Sequence, residues 1–106
     1  MPEAAWHRVA AESELRPEMP LGVRVGETQI CLVRLEDGIH AINDVCTHEF
    51  ALLSDGYCED GHIECPLHQA RFDLRTGKVV TEPATVDVAT YPVKVEGGAV
   101  YVQLPG

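Results

Sequence analysis

A chain of 106 residues with a formal net charge of −9 is one domain's worth of polypeptide. It can bury a modest core, and at this size a bound metal centre would matter to its stability. The acidity argues against nucleic acid and anionic membrane surfaces as partners. No stretch approaches the length of a transmembrane helix, and the start, Met1-Pro2-Glu3-Ala4-Ala5-Trp6, lacks the basic and apolar run of a secretion signal. A cytoplasmic monomer is expected, with four cysteines that serve as ligands or buried thiols rather than disulfides.

In chain order, Trp6 to Ala10 reads as a short strand, and Glu12 to Pro20 as a loop or single helical turn bounded by Pro17 and Pro20. Leu21–Val25 alternates, Gly26-Glu27 turns, and Gln29–Leu35 is apolar and β-branched. Asp37-Gly38 is a two-residue hairpin signal leading into Ile39–Asn43. From Asp44 to Val80 short apolar pieces are broken by Asp55-Gly56, Asp60-Gly61 and Thr76-Gly77, which predicts strands of two to four residues. Val93 to Val102 closes the chain as a hairpin on Gly97-Gly98. No segment has a useful helical period. The pattern predicts an all-β protein: residues 1–106 form a single domain, an antiparallel β base carrying an inserted metal-binding subdomain at about 44–82.

Two boxes carry the chemistry. Cys46-Thr47-His48 is followed sixteen residues later by Cys65-Pro66-Leu67-His68, so each box offers one thiolate and one imidazole. A structural zinc site and an iron–sulfur centre use the same ligand types, and the spacing leaves both open. The stretch from Leu35 to Ala70 holds no Lys or Arg but contains Glu36, Asp37, Asp44, Glu49, Asp55, Glu59, Asp60 and Glu64. The boxes are thus expected to sit in acidic surroundings that steer basic partners.

The flanks of the boxes carry a resemblance. Cys46-x-His48 and Cys65-Pro66-x-His68, with Leu53-Ser54-Asp55-Gly56, Ile63-Glu64, Arg71-Phe72-Asp73 and Thr76-Gly77-Lys78, resemble the Rieske [2Fe–2S] ferredoxins of bacterial aromatic-ring-hydroxylating dioxygenase systems. The resemblance implies the Rieske fold and one [2Fe–2S] cluster, with Cys46 and Cys65 on the inner iron and His48 and His68 on the outer one. Two ferric ions, two sulfides and two thiolates carry no net charge, which raises the potential above that of a four-thiolate cluster. High-potential relatives add a disulfide over the cluster and hydroxyls bonded to its sulfurs. Phe50, Leu67, Ala70 and Phe72 stand in those places, so a midpoint at the low end of the Rieske range, on the order of −150 mV, is expected. Two residues depart from the family pattern: Gln69 stands where glycine is common, and Glu49 directly follows His48.

The implied function is that of a soluble one-electron carrier rather than an enzyme. It would draw on an NAD(P)H-dependent flavoprotein reductase and serve a terminal Rieske non-haem iron oxygenase that acts on an aromatic compound. The competing readings are the Rieske-like small subunit of a nitrite reductase and a structural zinc module. Elsewhere His7, His40 and His62 are expected to be ordinary surface or strand histidines, and Cys31 and Cys58 small buried hydrophobes. Trp6, Tyr91 and Tyr101 are expected to pack the base. Pro83 resembles the loop that covers the cluster in Rieske folds, and Leu67, Phe50, Leu52 and Pro83 are expected to form the apolar centre of a docking face.

Overall fold

In a computed structural model of the chain, residues 5–46, 51–67, 70–81 and 86–104 are described. These residues form three antiparallel sheets and two short 3-10 turns. The first sheet joins the two ends of the chain: β1 (Ala5–Ala11) lies beside β11 (Ala99–Leu104), which pairs with β10 (Val93–Glu96). The second has the order β2 (Leu21–Val25), β3 (Thr28–Leu35), β4 (Gly38–Asn43) and β9 (Thr90–Tyr91). The third runs β5 (Tyr57–Glu59), β6 (His62–Glu64), β7 (Arg71–Asp73) and β8 (Val79–Thr81). The four strands of this sheet are three residues each, as the turn signals predict.

Strand β3 explains how three sheets become one body. Successive side chains point to opposite faces of a strand. Ile30 and Leu32 pack with Ala10, Val100 and Val102 of the first sheet. Cys31, Val33 and Leu35 pack with Ile63, Phe72, Cys46 and Cys65 on the other side. β4 divides in the same way, Ala41 facing the first cluster and Ile42 the second. The second sheet is therefore a middle layer buried on both faces, which is why Ile30–Val33 reads as a continuous apolar run rather than an alternating one.

The turns follow the predicted chemistry with one correction. Asp60-Gly61 and Gly97-Gly98 both take positive φ at each residue (53° and 78°, 56° and 77°), the geometry that a tight two-residue hairpin demands. The β3–β4 hairpin does not turn on Asp37-Gly38. Leu35 pairs with Gly38, so the turn residues are Glu36 and Asp37, and Gly38, at φ 134°, opens β4. Asp37 is held there by its side chain, whose oxygens accept from Arg75 Nε (2.9 Å) and Nη2 (3.2 Å) and meet His40 Nε2 at 2.9 Å. Arg75, and then His40, hold the Asp37 carboxyl well below the ordinary carboxylate range.

Elsewhere the structure departs from the sequence reading at β9 and Trp6. Glu12–Glu14 forms the expected single turn. β9, only two residues long, has no periodicity to announce it and exists through its pairing with Ala41 and Ile42. Trp6 does not pack the base: it is 38 % exposed and lies on the outer face of the first sheet, with Lys94 Nζ 4.6 Å above its ring. Tyr91 does pack against the core, and its hydroxyl accepts from Asn43 Nδ2 at 3.1 Å.

Candidate metal centre

Both boxes are built as the tips of hairpins. Val45 and Leu52 form an antiparallel bridge, and inside it the Cys46 N–H donates to Ala51 O at 2.9 Å. In the second box Glu64 pairs with Arg71, and the Cys65 N–H donates to Ala70 O at 2.7 Å. Each cysteine thus opens a tip closed by a bond to the alanine five positions on. The two loops, Cys46–Ala51 and Cys65–Ala70, match in length and closure although their sequences share little beyond the ligand types.

The two cysteines share one buried apolar cluster. Cys46 is 3 % exposed and Cys65 fully buried, and both belong to the cluster built on Ile42, Leu53, Ile63, Ala70 and Phe72. Burial of two thiol-bearing side chains in one apolar cluster, each on a rigid hairpin, fits a centre that takes two thiolates on one side. Leu67, the residue before His68, is 45 % exposed, so the second tip reaches the surface. His48 and His68 lie outside the described residues, as do Glu49, Phe50, Gln69 and Pro83.

The connection between the tips is as tightly specified as the tips themselves. The Leu53 N–H donates to Asp44 O at 2.7 Å, the Ser54 N–H to Asp44 Oδ1 at 2.7 Å and Ser54 Oγ to Asp44 Oδ2 at 2.8 Å. Two residues further on, the backbone of Gly56 lies against the Glu64 carbonyl with no room for a Cβ. These contacts run from the residue two before Cys46 to the residue one before Cys65. No spacing in the sequence announced the pairing of Asp44 with Ser54, since a single acid after a strand reads as a solvated turn residue.

Structure also redistributes the acidic stretch. Asp44 is buried. Glu64 is paired with Arg71 Nε at 2.8 Å and Asp37 with Arg75 at 2.9 Å, so counter-charges arrive from beyond Ala70. Arg75 also lies against Gly61, which places the Glu36-Asp37 and Asp60-Gly61 turns together. That position is the opposite end of β4 from Cys46 and of β6 from Cys65. The acidic stretch is therefore divided: Glu36, Asp37 and Asp60 are far from the tips, because hairpins fold neighbours in sequence to opposite ends, while Asp44 and Glu64 adjoin them.

The remaining candidates behave as ordinary residues. His40 is bonded to Asp37. Cys31 is buried, and burial pushes its thiol well up, with Asp44 adding to the shift. Cys58 packs against the same cluster, and burial likewise raises it.

Residues 5–92 match the model of the Rieske [2Fe-2S] domain, and the chain belongs to that family, whose members bind a Rieske-type [2Fe–2S] cluster. It is 43 % identical over 99 residues to the ferredoxin component of the naphthalene 1,2-dioxygenase system of Pseudomonas putida, covering 93 % of this chain and 95 % of that one. Among solved structures, it is similar to the ferredoxin in a complex of reduced oxygenase and oxidised ferredoxin of carbazole 1,9a-dioxygenase (TM-score 0.85, 38 % identity, 92 % and 91 % coverage). It also resembles a chain described as the small subunit of an NADH-dependent nitrite reductase from Mycobacterium tuberculosis (TM-score 0.87, 27 % identity, 99 % of both chains).

Proposed function

We propose that Cys46 and Cys65 hold the inner iron of one [2Fe–2S] cluster and His48 and His68 the outer iron. In this reading the protein carries single electrons from an NAD(P)H-dependent flavoprotein reductase to a terminal Rieske non-haem iron oxygenase acting on an aromatic compound. The whole chain acts as one domain, with the cluster-binding part at about 44–82, and works as a cytoplasmic monomer. The observation that carries the reading is the matched pair of hairpin tips that bring two buried cysteines into one cluster. When bound, the cluster takes up and releases one electron.

The chain's own residues do the rest. Cys46 and Cys65 anchor the centre on its buried side, where Ile63, Phe72 and Leu53 exclude water. The box histidines would complete the centre; Leu67, the residue before His68 in sequence, is exposed. Every ligand comes from the protein, which leaves no open position for a substrate. The ferredoxin components among its relatives favour the carrier over the nitrite reductase subunit, for which identity is lower. Family membership sets the zinc module aside.

Docking then depends on apolar contact at the tips more than on local charge. Leu67→Ala is expected to raise the apparent KM of the oxygenase for this protein about tenfold, the equivalent of roughly 1.4 kcal/mol for losing a half-exposed leucine from an interface. Raising salt from about 0.05 to 0.5 M is expected to slow turnover only a few-fold, because the net charge of −9 acts at long range while the paired acids do not. Steady-state kinetics in a chain reconstituted with reductase and oxygenase measure both. An unchanged KM in Leu67→Ala together with a steep salt response would reverse the assignment.

A further inference from the structure

Asp44 is 2 % exposed and the only buried charged side chain among the described residues. Burying a charge is costly unless it is well bonded. Here Oδ1 accepts from the Ser54 N–H and Oδ2 from Ser54 Oγ, at 2.7 and 2.8 Å. Both oxygens act as acceptors, the role of an ionised carboxylate. Among the described residues no Lys or Arg pairs with it. Arg24, which lines the same surface groove as Asp44 and Ser54, gives its Nε to Gly26 O instead. Gly22 of β2 closes over the pair: a Cβ there would lie 3.1 Å from Asp44 Oδ2 and 2.8 Å from Ser54 Oγ. The strand backbone thereby leaves the carboxylate almost no surface of its own, at the floor of that groove.

A clamp between the first hairpin and the Ser54 turn does not require that charge. Asparagine would accept from the same N–H and donate to the same hydroxyl without the cost of desolvating an ion. The use of aspartate points to the charge itself, and it stands at the base of the first tip, where the Leu53 N–H donates to Asp44 O beside the Val45–Leu52 bridge. Asp44 is two residues from Cys46, about 7 Å of extended chain.

We propose that Asp44 is a tuning residue, a buried negative charge beside the first hairpin tip that opposes addition of an electron to the cluster and so holds its reduction potential down. The inference rests on the reading that Cys46 and Cys65 hold that cluster. At roughly 10 Å in a medium of effective dielectric constant near 20, one charge changes the equilibrium for one-electron reduction about tenfold, equivalent to about 59 mV.

Redox titration of the purified holoprotein, followed optically, tests it in Asp44→Asn and Ser54→Ala. Asp44→Asn keeps both hydrogen bonds and removes the charge. Its midpoint is expected to rise by about that tenfold step and to stay raised in high salt, because a buried charge is poorly screened. Ser54→Ala weakens the same clamp but keeps the charge, so its midpoint is expected not to rise. An unchanged midpoint in Asp44→Asn, an equal rise in both variants, or failure of Asp44→Asn to retain the cluster would overturn the proposal. Absence of a [2Fe–2S] spectrum from the unsubstituted protein would instead overturn the reading of the site, and this inference with it.

Discussion

Replacing either cysteine of the boxes, Cys46→Ser or Cys65→Ser, is expected to yield a protein without its cluster, colourless and unable to pass electrons above background. In the proposed arrangement the two thiolates share one iron, so each is necessary and neither compensates for the other. The hairpin geometry makes compensation harder still. Each cysteine N–H is committed to the alanine that closes its loop, and this fixes the backbone from which each thiol projects. Cys58 packs against the same cluster of side chains, but it sits on β5, outside both tips. Cys58→Ser is therefore the control, expected to keep its full iron content and absorbance. Because a tightly bound centre stabilises only the folded state, the two ligand variants are also expected to melt at lower temperature than Cys58→Ser. Iron and sulfide analysis with a thermal melt reads all three, and retention of a full cluster by Cys65→Ser would contradict the assignment.

Gly56→Ala is expected to have the second large effect, although it alters no ligand. The added Cβ would press into the Glu64 carbonyl oxygen and lie 3.0 Å from Glu64 C and 3.2 Å from Leu53 O. These are backbone atoms that cannot swing away as the end of a side chain can. Relief requires β6 to move relative to the Leu53–Asp55 turn, and Cys65 follows Glu64 directly. Overpacking of this kind costs about 1–3 kcal/mol or more, and here the shift is delivered to one of the two tips. The variant should melt several degrees lower and lose its cluster faster on standing than the native protein. Gly26→Ala is the comparison: nothing lies within 4 Å of its Cβ, so only the strain of φ 59° remains, roughly 1 kcal/mol, with cluster lifetime unchanged. Equal lifetimes for the two variants would mean that Gly56 does not hold the second tip in place.

What could be read from residues alone follows from which interactions are local. Asp60-Gly61 and Gly97-Gly98 announce tight hairpins because the required backbone angles belong to those residue types, and both turns form. Cys46 and Cys65 stand out because few other roles explain paired thiol and imidazole boxes. Asp44 was legible only as one acid in a run of eight. Its burial depends on Ser54, ten residues away, and on the missing side chain of Gly22. The same limit hid the counter-charges of Glu64 and Asp37, since Arg71 and Arg75 pair with them from beyond the stretch. Asp37-Gly38 misled by one position because Arg75 holds Asp37 in the turn, a contact spanning 38 residues. The apolar run of β3 hid its period because both of its faces are covered.

The measurement that bears most directly on the central claim is the electron paramagnetic resonance spectrum of the purified protein before and after one-electron reduction, with iron and sulfide counted on the same sample. A coloured protein with two irons and two sulfides per chain is expected. It should be silent when oxidised and show one unpaired spin per chain when reduced, with the signal lost in Cys46→Ser and Cys65→Ser. A colourless protein that stays silent after reduction and contains zinc in place of iron would contradict it.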